Sequence, residues 1–67
     1  MIGLSHKAIY IAIARNLREF GYSGVSANMV AEVHAAMRSG DPLPHGVVGM
    51  FAKSQIEESG LGSGVVS

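Results

Sequence analysis

With 67 residues and no cysteine, the chain allows at most one small domain, and it has neither disulfides nor thiolate metal ligands to stabilise it. Five basic residues balance five acidic ones, which excludes the basic footprint of a typical nucleic-acid binder. No apolar run approaches the roughly 18 residues of a membrane span. What remains is a composition 48% apolar and 15% charged, whose surplus apolar surface has its natural outlet in a shared interface.

In Met1 to Lys7 the basic residue follows the apolar ones, the reverse of a signal peptide's order, so a cytoplasmic protein is expected. The first helix is predicted over His6–Phe20. Ser5 is its N-cap, and Leu4 with Ile9 occupies the two positions of a hydrophobic staple. Ile9, Ile13, Leu17 and Phe20 recur at helical spacing and form its core stripe. Lys7, Arg15 and Arg18 lie opposite, with Ile11 among them as a candidate contact point for a partner. Gly21 suits the left-handed residue that ends a helix. The Phe20-Gly21-Tyr22 entry to the connector is similar to the Met-Gly-Phe/Tyr loop of ubiquitin-associated domains. The likeness covers three residues, and the helix lengths and spacing differ, so no ubiquitin binding is carried over.

A second helix is predicted over Ala27–Arg38, capped by Ser26, stapled by Val25 and Val30, and ended by Gly40. Val30, Val33 and Met37 make its buried stripe, flanked by Met29 and Ala36. His34 borders the stripe and reads as a half-buried packing residue. Pro42 and Pro44 then stiffen the connector, Leu43 anchors it to the core, and Pro44 is placed at the first position of the next helix.

The third helix, Gly46–Glu58, carries two apolar rows. Val47, Met50 and Phe51 lie on one side, with Val47 and Phe51 assigned to the core. Val48, Ala52 and Ile56 form the other row, beside an interior glycine, Gly49. Two rows exceed what one short surface helix needs. The interaction surface is therefore expected at Ile11, Val48, Gly49, Ala52 and Ile56, meeting a second copy in a symmetric homodimer or an unidentified protein partner. Gly60 to Ser67 has the composition of a flexible tail.

No constellation amounts to a reaction mechanism. His6, His34 and His45 lack zinc-ligand spacing, the carboxylates are scattered, and no serine lies in a nucleophile elbow. Neither catalytic nor cofactor nor metal residues are assigned, and the protein is expected not to be an enzyme. A helix-turn-helix is the competing class, but the diproline connector is longer than its usual turn. The would-be recognition helix also begins with apolar residues, Val47 and Val48, which makes nucleic acid an unfavoured partner.

The block from Gly40 to Phe51 resembles segments of short helical proteins of actinobacteria and their phages. That resemblance implies a bacterial or phage source and no particular activity. The expected architecture is all-α: a three-helix bundle over residues 1–59 with a disordered tail or linker over 60–67. Its predicted core is Ile9, Ile13, Leu17, Phe20, Val30, Val33, Met37, Leu43, Val47 and Phe51.

Overall fold

Helix stop signals divide the chain. In the computed structural model, which describes residues 6–61, they leave α1 (His6–Glu19), α2 (Ala27–Ser39) and α3 (Gly46–Ser59), and no strand among the described residues. After α1, Gly21 turns left-handed at φ 104°. The Tyr22 and Gly21 amides then donate to the Leu17 and Arg18 carbonyls, at 3.2 and 3.0 Å, the paired bonds of a Schellman motif. Gly40 at φ 78° ends α2 in a similar way, with the Asp41 amide donating to the Ala36 carbonyl at 3.0 Å. At the start of α2 the Ser26 hydroxyl accepts the Met29 amide at 3.2 Å, as expected of its N-cap. The Ser5 cap and the Leu4 staple lie outside the described residues.

The third helix starts differently from expectation. Two successive left-handed residues, His45 (φ 67°) and Gly46 (φ 56°), rotate the chain into α3, so Pro44 stands before the helix and not at its first position. His45 is the only non-glycine residue with positive φ among the described residues. Its ring reaches back to α2, where Nε2 meets Glu32 Oε1 at 2.8 Å.

Every helix packs against the other two, and the core is built from Ile13, Ala14, Leu17, Val25, Val30, Val33, Ala52 and Ile56. Ile9, Met37 and Leu43 are half-buried around it. Phe20, Val47 and Phe51, assigned to the core from sequence, are exposed. For Phe20 the cause is the turn at Gly21, which brings Tyr22 onto the core in its place. For α3 the cause is a close approach. A methyl group added at buried Gly49 would overlap the Pro44 carbonyl oxygen and lie 3.2 Å from its carbon. The connector therefore seats on Gly49, and that contact turns the small-residue row inward. At Gly60 the chain again turns left-handed, and Leu61 packs on the core, so the bundle extends two residues past its expected end. Of the tail expected over 60–67, residues 62–67 lie outside the described residues.

Candidate interaction surface

The rotation of α3 decides where the candidate site residues fall. Gly49, Ala52 and Ile56 are buried and Val48 is half-buried against the same core. The expectation that this row meets a partner is corrected: it is the row α3 uses against its own bundle. Gly49 leaves room for the connector at Pro44, and the small side chain of Ala52 packs in the core between the helices. Ile11 is exposed among Lys7, Arg15 and Arg18 on the far side of α1, isolated from the other exposed apolar residues of α3.

The surface that results is the other row. On the outer face of α3, Val47 is 61% exposed, Met50 64% and Phe51 45%, at the i, i+3, i+4 spacing of one continuous stripe. The Asn16 amide donates to Gln55 Oε1 at 2.7 Å, which sets α1 and α3 side by side. They run in opposite directions, because the groove between them is lined by Ile9 and Ala12 of early α1 and by Glu58 and Ser59 at the end of α3. Phe20, at the end of α1, is likewise exposed, at 65%. Tyr22 packs on Phe51, ring centroids 5.3 Å apart and planes tilted by 35°. No charged side chain interrupts Val47, Met50, Phe51 and Ser54; the nearest along the helix, Lys53, pairs with Glu57 at 2.9 Å.

The basic residues of α1 form no free patch of equal size. Arg18 donates from Nη1 to the Val25 carbonyl at 3.1 Å and so ties α1 to the connector before α2. The groove between α1 and α3, about 620 Å³, is open to solvent and carries charges of both signs from Arg15, Glu19 and Glu58. Among the described residues no three His, Asp or Glu side chains gather as metal ligands, and no helix is long and apolar enough to cross a membrane.

A second cluster lies at the opposite end of the bundle. His34, expected half-buried, is 2% exposed, and its Nδ1 lies 2.6 Å from the Tyr10 hydroxyl of α1. The rings of His6, Tyr10 and His34 form a triangle with centroids 5.7–6.1 Å apart. Among the described residues His34 Nε2 is buried without a hydrogen bond; the Leu61 backbone favours a proton there but does not reach hydrogen-bond geometry. Burial holds the His34 imidazole below the ordinary histidine range, and the positive charge of Arg38 adds to the effect.

No family model matches the sequence, and comparison with curated proteins and with solved structures finds no significant match. The surface itself is what bears on function.

Proposed function

We propose that the protein is a small non-enzymatic interaction module that self-associates as a symmetric dimer through the outer face of α3. The observation that carries this reading is the stripe of Val47, Met50 and Phe51, exposed on a chain too small to leave it idle. A second copy fits for a physical reason. The stripe is uncharged, so it offers no electrostatic preference for a partner of either sign. It is also self-complementary. Two α3 helices crossing antiparallel about a two-fold axis between Met50 and Phe51 place each Met50 on the partner copy's Phe51, a favourable sulfur–aromatic contact. Ser54 and Val47 then face each other at the ends, where a small polar and a medium apolar residue close the contact without a buried charge.

Sedimentation of the full chain tests this. Wild type is expected to be dimeric at high micromolar concentration. Met50→Glu is expected to be monomeric with unchanged helix content, because Met50 touches nothing the fold requires. A wild-type monomer at that concentration refutes the dimer. The helix-turn-helix alternative would need Lys7, Arg15 and Arg18 to neutralise phosphate, and Arg18 is already engaged with the chain's own backbone. Micromolar binding of duplex DNA that weakens steeply with salt would favour that alternative.

A further inference from the structure

We propose that the His34–Tyr10 contact is a proton-operated latch that fastens the start of α1 to α2. The latch and the α3 stripe are separate features, since the stripe sits where α1 ends and α3 begins.

The chemistry of the site sets the response. With its proton on Nε2, neutral His34 accepts the Tyr10 hydroxyl's hydrogen bond at Nδ1 over 2.6 Å. An imidazolium has two N–H donors and no acceptor, so that bond cannot survive in the same sense. Tyr10 would have to turn its hydroxyl away and accept instead. Among the described residues the one compensation is the Leu61 backbone, which favours the proton without reaching hydrogen-bond geometry to Nε2 and does not offset burial. On balance the surroundings disfavour a cation, burial and Arg38 outweighing the Leu61 backbone, which favours it. From α1 the facing groups are His6 and Tyr10; from α2 itself it is Arg38; from the segment after α3 it is the Leu61 backbone. Among the described residues no carboxylate acts on His34. A buried positive charge beside Arg38, with His6 next to it, is relieved by letting water in, and the thinnest cover is the first turns of α1 and Leu61. His6 is exposed, and Leu61, the last described residue, is only half-buried.

Amide exchange on the full chain tests the latch, read as protection factors so that the intrinsic pH dependence of exchange drops out. Between pH 7.5 and 5.0 the amides of Tyr10 to Ile13 are expected to lose protection at least tenfold relative to those in the middle of α2. In His34→Gln, whose amide oxygen still accepts from Tyr10 but does not titrate, that loss should vanish. In His6→Gln and His45→Gln it should persist. Equal loss in wild type and His34→Gln overturns the proposal, and so does a uniform loss over all three helices. Should His34→Gln fail to fold, Tyr10→Phe serves instead. It removes the hydrogen bond and keeps the ring, and it should lower protection of the Tyr10–Ile13 amides already at pH 7.5; unchanged protection there refutes the latch.

Discussion

Replacing Gly49 with alanine isolates the contact that orients α3. In an ordinary helix interior the exchange is favourable by about 1 kcal/mol, because alanine loses less backbone entropy and hides more backbone from water. Gly49 has no positive φ, so alanine meets no conformational obstacle there. Sterics alone oppose it. The new methyl would overlap the Pro44 carbonyl oxygen, and Pro44 cannot swing aside easily because its own φ is locked and it is half-buried. Overpacking a core costs about 1–3 kcal/mol, and overlap with stiff backbone belongs at the upper end. Subtracting the propensity gain leaves a net loss of about 2 kcal/mol. For a chain of this length total stability is about 3–10 kcal/mol, so the loss is a large fraction of it. With a urea slope near 1 kcal/mol/M for so small a domain, the denaturation midpoint should fall by about 2 M. Ser54→Ala on the exposed face is the control and should change stability by less than about 0.5 kcal/mol. A Gly49→Ala chain as stable as wild type, or more so, would show that the connector does not sit on Gly49 and that α3 faces another way.

Ile56 is fully buried, so Ile56→Glu should unfold the chain, seen as loss of helical circular dichroism; a folded monomer would place Ile56 on the surface and overturn the assigned core. The depressed His34 makes stability pH-dependent with a definite sign: the folded form takes up its proton less readily than the unfolded form, whose value is about 6.5. Its contribution is thus complete above that value and is lost as pH falls through it towards the folded one; urea midpoints for wild type that fall below pH 6.5, and do not fall in His34→Gln, are the expected result. At His45, held at φ 67°, valine should be less stable than glycine by about 1–2 kcal/mol in thermal melts, because a β-branched side chain is strained in the left-handed region. Equal melts for the two variants would mean that the turn into α3 is built otherwise.

Much of the fold is legible in the sequence because its signals are local. Ser26 caps α2 through its own hydroxyl, and Gly21 and Gly40 end helices by adopting a conformation that L side chains resist. Such effects involve residues a few positions apart, and no tertiary contact is needed to read them. Amphipathic spacing likewise identifies Ile13, Leu17, Val30 and Val33 as core, since in α1 and α2 the charged residues Lys7, Arg15, Arg18 and Glu32 mark the opposite side.

Residues of α3 defeat that logic. It is apolar on both sides over its first half, so spacing cannot choose between Val47, Met50 and Phe51 on one face and Gly49, Ala52 and Ile56 on the other. Side-chain size favours the wrong face if burial of the bulkiest groups is taken as the rule. The choice is made by Pro44, whose carbonyl lies over Gly49 only after the connector has folded back, and by α1 and α2, against which Ala52 packs in the core. The same holds for His34. Its position at the edge of a stripe is visible in the sequence, but its burial depends on Tyr10, 24 residues away, and on Leu61 closing the end of the bundle. Helix boundaries in this protein are therefore properties of short segments, whereas the identity of its inward and outward faces is a property of how three helices and one stiff connector fit together in space.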